Sequence, residues 1–295
     1  MGPCLTAALS DHFLLPLLQS SWKTTILVGM DNTPQPNRRW FQSSLRWPLL
    51  LALLLSILCG WFAVKMEQAG KQKAVVEEIE NLGGLVWRDY QFDADGVPIT
   101  KDPQPPGPAW LRRLLGDDFF MNVTKLDLTQ TAVTDAGLEH LKGLTQLQSL
   151  YLGSEVTDAG LEHLKDFTQL RTLNLRATAV TDAGLEHLKG FAQLQSLCLG
   201  AKVTDAGLEH LKGLRQLQSL DLSGTRVTDA GLEHLEGLPH LQSLHLGLTR
   251  VSDAGLDRIK GLTELHYLDL SRTNVTDAGV ERLQRALPKC TIQHH

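Results

Sequence analysis

The segment VTDAGLEHLKGLRQLQSLDLSGT, residues 203–225, recurs with small changes through the C-terminal part of the chain. Its opening motif, V-[ST]-D-A-G, starts at seven positions that subtraction shows to be 23 or 24 residues apart: Val133, Val156, Val180, Val203, Val227, Val251 and Val275. The first six copies are each followed by L-x-x-L-x-L. Self-similarity at this period predicts that one supersecondary unit is repeated along the chain.

The spacing of the leucines predicts which surfaces of each unit are buried. The two leucines of L-x-L point to one face of a strand, and Leu138 and Leu141 lie on one face of a helix. Thr134 or Asp135 is expected to cap that helix through a side-chain oxygen. Since one unit cannot bury both apolar faces alone, the units must stack. We therefore predict an α/β leucine-rich repeat solenoid, a curved horseshoe with parallel strands on the concave face and helices on the convex face.

Details of the repeats lead to further expectations. Eight strands are expected, from residues 123–128 to 287–292, with Cys290 in an inward leucine position of the last strand. A threonine follows most strands, and its hydroxyl is expected to bond the backbone of the neighbouring repeat: Thr131, Thr178, Thr225, Thr249 and Thr273. Two repeats lose one loop residue, at 153–156 and 200–203, where we expect irregular structure.

The outward strand positions differ between repeats, whereas the helix side is almost copied. The middle residues of L-x-L are Asp127, Tyr151, Asn174, Cys198, Asp221, His245 and Asp269, with Thr291 as an eighth. Parallel strands in register place such residues about 4.8 Å apart on the concave face. A repeated framework with one diversified row is typical of a protein-binding surface. Neutral drift of solvent-facing positions is the alternative interpretation.

The same row offers one chemical alternative. Asp221, His245 and Asp269 on neighbouring strands could ligate a metal ion or polarise a nucleophile. A flat, open face provides no pocket that excludes water, so we predict no catalytic, cofactor-binding or metal-binding residues and no small-molecule substrate. A row of histidines on the helix side is interpreted as a copied, solvated position: His140, His163, His187, His210 and His234.

Composition excludes several other classes of protein. With 28 Lys+Arg against 33 Asp+Glu, the 295-residue chain has a formal net charge of -5, which disfavours nucleic acid as a partner. The four cysteines, Cys4, Cys59, Cys198 and Cys290, are too scattered for a disulfide framework. We expect Cys198 and Cys290 to be free thiols.

The longest apolar segment lies before the repeats. Residues 47–64, WPLLLALLLSILCGWFAV, contain no charge, and a helix of this length measures about 27 Å, close to the roughly 30 Å of a bilayer core. We predict an uncleaved transmembrane signal anchor that contacts the lipid bilayer. Basic residues are balanced on its two sides, but the short N-terminal tail favours a cytoplasmic N-terminus. The chain is then single-pass, with an extracytoplasmic repeat domain.

The remaining N-terminal residues form two regions, one on each side of this helix. Residues 1–46 are expected to be a tail, with disorder and a true start at Met30 as open alternatives. Residues 65–120 are expected to hold a juxtamembrane helix (66–82), a strand (85–92), a Pro-rich connector (102–108) and an N-terminal cap. In that cap a short helix, 110–115, covers the open end of the stack together with Phe119 and Phe120. The repeat domain occupies residues 121–295.

Two resemblances follow from these motifs. The repeat unit resembles those of bacterial leucine-rich repeat proteins related to the GALA and F-box-associated class. The order RRWFQSSLRW, apolar helix, ENLGG and PQPPGPAWLRRLLGDDFF is similar to a family of membrane-anchored bacterial proteins. The resemblance implies a repeat solenoid without known catalytic residues. It also implies protein partners, since eukaryotic relatives serve as substrate receptors in ubiquitin ligases.

Three functional hypotheses remain at this point. The first is a membrane-anchored protein-interaction scaffold that uses its concave strand face. The alternative is an F-box-like adaptor or substrate receptor of a ubiquitin-ligase-type complex, which recruits its complex through residues 66–120. The third is a metal-dependent hydrolase built on Asp221, His245 and Asp269.

Overall fold

The computed structural model describes residues 38–91, 99 and 103–295, with side chains described from Trp47 onward. By internal contacts the chain divides into two units, Met1–Leu58 and Cys59–His295. The expected tail up to residue 37, the start at Met30, Cys4, and the end of the predicted strand at Phe92 lie outside the described residues.

The first helix is longer than predicted. Helix α1 runs from Arg38 to Asn81 without a break, whereas the sequence suggested separate helices before and after Lys65. The reason is local: helix-forming residues continue past Lys65, and the Lys71–Glu67 ion pair at 2.7 Å is one of two i,i+4 pairs that support them. Gly83, at a φ of 82°, follows the end of the helix. The part Trp47–Asn81 is long and apolar enough to cross a membrane.

Within the described residues, nine strands form one sheet in chain order, which are the eight strands predicted in the repeats and the strand predicted at residues 85–92. They are β1 (Leu85–Arg88), β2 (Val123–Asp127), β3 (Ser149–Tyr151), β4 (Thr172–Asn174), β5 (Ser196–Cys198), β6 (Ser219–Asp221), β7 (Ser243–His245), β8 (Tyr267–Asp269) and β9 (Thr291–Gln293). Strands β2 to β9 are parallel, as predicted, and β1 is an additional antiparallel partner of β2. β1 is shorter than the predicted strand because Asp89–Gln91 turn into a 3₁₀ helix.

The register of the last strand corrects the sequence prediction. Ile292 pairs with Leu268, and Gln293 pairs with Asp269, so Gln293 and not Thr291 completes the outward row. Each strand begins at a fixed distance from the V-[ST]-D-A-G motif, as Tyr267 does from Val251. That distance sets the register, whereas the sequence prediction had followed the nearest leucine-like spacing. Cys290 is nevertheless buried.

Helical segments return the chain from one strand to the next. They contain α3 (Asp135–His140), α4 (Asp158–Glu162), α5 (Asp205–Leu208), α6 (Asp253–Ile259) and α7 (Asp277–Ala286). The returns at Gly184–Gly190 and Gly231–Gly237 are 3₁₀ helices instead of the predicted α-helices.

A single leucine core runs through the stack of repeats. Strand leucines such as Leu150, Leu197 and Leu220 are fully buried. At the N-terminal end this core includes Val76 and Ile79 of α1. Helix α2 (Ala109–Leu115), which was expected to cover this end of the stack, contains no buried residue. α1 takes that role because Val76 and Ile79 lie on one apolar face, three residues apart.

A buried amide completes this cap. Gln72 of α1 donates from Nε2 to the carbonyl of Met121 at 3.1 Å, and its Oε1 accepts from the backbone N–H of Val123 at 3.3 Å. Backbone groups where β2 begins thus obtain partners, which a buried polar group requires.

Aspartates of the repeat motif join one repeat to the next, a role that the sequence analysis did not foresee. Asp135 accepts from the backbone N–H of Thr157 at 2.8 Å and from its hydroxyl at 2.6 Å. Five further pairs repeat this contact: Asp158–Thr181, Asp182–Thr204, Asp205–Thr228, Asp229–Ser252 and Asp253–Thr276. We call these six contacts the aspartate ladder. Its hydrogen bonds lower the pKa of Asp253.

The ladder also explains the glycine of the motif and corrects the predicted helix caps. A Cβ atom at Gly160 would overlap Oδ1 of Asp135, and the corresponding glycines of the next five repeats face the same contact. Asp135 therefore serves the next repeat, and Thr134 makes no side-chain cap bond. Thr204, by contrast, does accept a cap bond, from the backbone N–H of Ala206.

The loop threonines act within their own repeat. Thr225 donates from its hydroxyl to the carbonyl of Leu222 at 2.6 Å, and the other four make the corresponding contact three residues back. The expectation of a bond to the neighbouring repeat was therefore wrong. The hydroxyl reaches its own turn first, since a short polar side chain readily bonds nearby backbone.

Candidate functional site

The seven predicted row residues lie side by side on the outer face of the sheet. Consecutive strands pair them directly, from Asp127 with Tyr151 through to His245 with Asp269. All seven are half-buried. We call this set the outer row: Asp127, Tyr151, Asn174, Cys198, Asp221, His245 and Asp269. The leucines on either side hold each position in place, because they point into the core.

Four members of the outer row also shape their own loops. Oδ1 of Asp221 accepts from the backbone N–H of Ser223 at 2.8 Å. Asp127, Asn174 and Asp269 make the same contact two residues on. These are Asx turns, whose signal is an Asp or Asn two residues before the turn. From the sequence these residues are predicted only as binding positions.

The other three members alternate with the Asx positions. Tyr151, Cys198 and His245 each precede a Leu-Gly pair instead of an Asx turn. Lys125 lies over the ring of Tyr151, with Nζ at 5.1 Å from its centroid. Partial burial raises the pKa of the Tyr151 phenol. The row therefore carries an aromatic, a thiol and an imidazole group between carboxylate and amide groups.

An ion pair crosses the middle of the row. Arg176, which follows β4, donates from Nη1 to Oδ2 of Asp221 on β6 at 3.1 Å. The pair therefore spans β5, the strand of Cys198. Burial raises the pKa of Cys198 to about 11, and the Asp221 carboxylate adds to this effect while Arg176 opposes it. Cys198 is consequently a neutral, weakly reactive thiol at neutral pH, although it lies on the outer face.

We expect Cys198 to react slowly with iodoacetamide in the folded protein. Because the thiolate is the nucleophile, its rate should rise about tenfold per pH unit between pH 7 and pH 10. Peptide mass spectrometry of the full chain measures the rate. The same chain in concentrated urea is the control, and there the pH dependence should level off near pH 9, since an unburied cysteine has a pKa of about 8.5. Equal rates in both states would contradict burial of the thiol.

The densest polar contacts of the row surround His245. Its Nε2 lies 3.1 Å from the hydroxyl of Ser243, and its Nδ1 lies 4.0 Å from Oδ2 of Asp269. The ring of Tyr267 is 5.1 Å away, and the Tyr267 hydroxyl donates to Oε1 of Gln293 at 2.6 Å. The order of these contacts is that of a Ser–His–Asp triad. Much of the rate enhancement of such a triad comes from an oxyanion hole in an enclosed site. The group around His245, by contrast, lies on an open sheet face.

Metal binding was the other chemical hypothesis for this region. Within residues 38–91, 99 and 103–295, no group of three or more His, Cys, Asp or Glu side chains could hold a metal ion. Asp221, His245 and Asp269 are therefore neighbours without forming such a group. The helix-side histidines are exposed, as are His140 and His187, or half-exposed, as is His163.

A second row of outward-pointing strand residues lies beside the outer row. It was not among the sequence predictions. Two positions before each outer-row residue, the strands carry Lys125, Ser149, Thr172, Ser196, Ser219, Ser243 and Tyr267. We call it the hydroxyl row, since six of its seven residues carry a hydroxyl group. Its signal was the repeated Ser-Leu before each middle residue, a position that also points outward. Adjacent rows of donors and acceptors make the outer face polar over its whole length.

Parts of the repeat region are similar to known protein families. Two family models described as "Leucine rich repeat" match residues 215–275 and residues 121–142. Among solved structures, internalin C2 from Listeria monocytogenes is 25% identical, with a TM-score of 0.46, and the match covers 59% of this chain and 74% of that one. A search of curated proteins found no match. Residues 121–142 and 215–275 thus match known leucine-rich repeats.

Proposed function

We propose that this protein is anchored in a membrane by residues 47–64 and binds a protein partner on the outer face of its sheet. The observation that carries the proposal is the outer row itself. Its seven positions carry five different residue types, whereas the inward positions beside them are all leucine. A rigid backbone of this kind lowers the entropic cost of binding, because the contact residues are already in place.

The chemistry of the face favours a protein partner with mixed polar and charged groups. Tyr151 offers a ring with a polar end, the type of residue that is enriched at interface hot spots. Asp221 and Asp269 offer carboxylates, and the adjacent hydroxyl row offers further donors and acceptors. An extended, open face of this kind suits a macromolecule better than a small molecule, which needs a concave pocket.

The apolar helix supports the anchoring part of the proposal. Its large side chains are exposed from Trp47 to Val64, for example Trp47 at 77% and Leu49 at 68%. Such a surface is unfavourable in water and favourable in a bilayer. We further propose an N-terminus in the cytoplasm and extracytoplasmic repeats, which protease protection of intact cells or vesicles tests.

The adaptor hypothesis is less well supported by the described residues. It required a recruiting surface within residues 66–120. There, α1 packs Val76 and Ile79 against the first repeat, and the seven-residue α2 is followed by a 3₁₀ turn, Asp117–Phe119. The packed face of α1 is occupied by the repeats, so it is not free to bind a ligase subunit.

The binding proposal predicts that a variant of the outer row loses its partner. The variant combines Tyr151→Ala, His245→Ala, Asp221→Asn and Asp269→Asn, in which asparagine retains the Asx-turn acceptor. In a quantitative crosslinking pull-down from native membranes, recovery of the partner should fall more than about tenfold, since hot-spot residues contribute 2 kcal/mol or more each. The thermal midpoint should remain close to that of the wild type.

A matched variant on the helix side is the control. It combines His140→Ala, His187→Ala, Glu162→Gln and Glu236→Gln, four exposed positions with the same kinds of change. Partner recovery should equal that of the wild type. If the outer-row variant captures the same proteins as this control, the proposed binding face is wrong.

A further inference from the structure

A polar cavity lies beside the first repeat, away from the outer face of the sheet. It has a volume of about 260 Å³ and is lined by residues of α1 and of the segments around the first repeat, among them Lys65, Gln68, Asp118, Phe119, Asn122 and Gln146. That volume is slightly below the usual range for small-molecule sites, roughly 300–1,000 Å³. The cavity therefore suits a small polar group.

Two opposite charges line this cavity without neutralising each other. Lys65 and Asp118 are both half-buried, and neither charged side-chain group has a hydrogen-bond or ion-pair partner among the described residues. Partly buried charges are unfavourable unless they are paired. Gln68, Asn122 and Gln146 add amide groups to the same wall. A ligand that carries one anion and one cation would satisfy both charges.

The wall of the cavity is continuous with aromatic residues near the end of the apolar segment. Phe119 lines the cavity, and its ring lies 6.4 Å from that of Trp61 and 5.3 Å from that of Phe62. Aromatic residues at the end of a membrane span lie at the level of the lipid head groups. Lys65, one turn further along α1, reaches the same level.

The exposed apolar side chains of helix α2 also support a bilayer surface at the level of the cavity. Helix α2 exposes Trp110 at 67% and Leu114 at 72%, four residues apart on one side, and carries Arg113 beside them. Tryptophan and leucine with an adjacent arginine are typical of a helix that lies at a membrane surface. α2 is followed within four residues by Phe119 of the cavity wall.

We propose that this cavity binds the phosphoethanolamine head group of a membrane phospholipid, with the phosphate at Lys65 and the primary ammonium at Asp118. This inference rests on the membrane anchoring proposed above. The primary amine distinguishes this head group from those of other phospholipids. A choline head group has no N–H to donate to Asp118 and favours aromatic cages, whereas a glycerol head group has no cation at all.

Native mass spectrometry of the full chain in mild detergent tests the proposal. Ethanolamine, choline and glycerol phospholipids with identical acyl chains are added separately. The wild type should retain the ethanolamine lipid about tenfold better than the other two, because each charge-assisted hydrogen bond contributes at least that much. Lys65→Gln should lower its retention about tenfold, and Asp118→Asn should abolish the preference for ethanolamine over glycerol.

Two neighbouring residues outside the cavity provide matched controls. Lys73→Gln and Asp117→Asn change the same kinds of charge, and these residues pair with Glu77 at 3.9 Å and Arg112 at 3.8 Å. Their lipid retention should remain within about twofold of the wild type. Circular dichroism verifies that all four variants are folded. Equal retention of the three lipids by the wild type, or equal losses in control and cavity variants, would overturn the head-group site.

Two further measurements separate this proposal from the anchor and from a soluble ligand. Alkaline carbonate extraction of native membranes tests the anchor, and a protein that is released would refute the anchor whatever its lipid preference in detergent. Free glycerophosphoethanolamine, which lacks acyl chains, should displace the lipid only at concentrations more than about tenfold higher. Displacement at equal concentration would assign the cavity to a soluble compound and refute a lipid site.

Discussion

Leu220→Ala is expected to lower the free energy of unfolding by about 3–5 kcal/mol, the upper part of the range for a leucine replaced by alanine in a core. Leu220 is fully buried on β6. It pairs in register with Leu197 on one side and Leu244 on the other. Loss of its side chain leaves a cavity between rigid neighbouring repeats, which cannot collapse to fill it. Urea denaturation of the full chain in detergent, followed by circular dichroism, measures the change.

Leu248→Ala is the matched control for this substitution. Leu248 lies in the loop after β7 and is 57% exposed, so the same deletion of atoms should change stability by less than about 0.5 kcal/mol. Similar losses in both variants would mean that the strand leucines do not form the core described above.

Gly207→Ala is expected to lower the free energy of unfolding by about 2–4 kcal/mol, although it adds a single methyl group. The new Cβ would overlap Oδ1 of Asp182 and approach Cδ1 of Leu185 to 2.9 Å. Overpacking of this kind costs about 1–3 kcal/mol. The displaced carboxylate would also weaken its two hydrogen bonds to Thr204, at 2.8 Å and 2.6 Å, each contributing about 0.5–1.5 kcal/mol.

A glycine six residues further along provides the comparison. A Cβ at Gly213 meets no atom within 4 Å, and its backbone is not in the left-handed region. Gly213→Ala should therefore be neutral, or stabilising by up to about 1 kcal/mol because alanine restricts the unfolded chain. If Gly207→Ala were as harmless as Gly213→Ala in the same urea titration, the aspartate ladder would not hold the repeats together.

The aspartate ladder could not be predicted from the sequence of a single repeat. From one repeat, Asp135 is a plausible helix cap, since aspartate is common at that position. The bond to Thr157 appears only when the next repeat is stacked at its true distance. The same applies to the N-terminal end of the stack: Val76, Ile79 and Gln72 of α1 cover it because they meet the first repeat in space.

The sequence predicts that the outer-row residues share one face of the sheet, but not the contacts that they make there. Strand alternation alone places the seven outer-row residues on one face. It cannot indicate that Arg176 reaches across β5 to Asp221, or that the contacts of His245 include Ser243 and Asp269. Those contacts depend on side-chain length and on which neighbours leave space, which are properties of the assembled sheet.

Sequence periodicity is sufficient to predict the repeat length, the inward leucines and the parallel order of the strands. These follow from periodicity, because a residue's position within a strand fixes the face on which it lies. The tertiary structure was needed for the antiparallel pairing of β1 with β2, the bonds between repeats and the cavity beside Lys65. Each of these depends on distances between segments far apart in the chain, and periodicity contains no information about such distances.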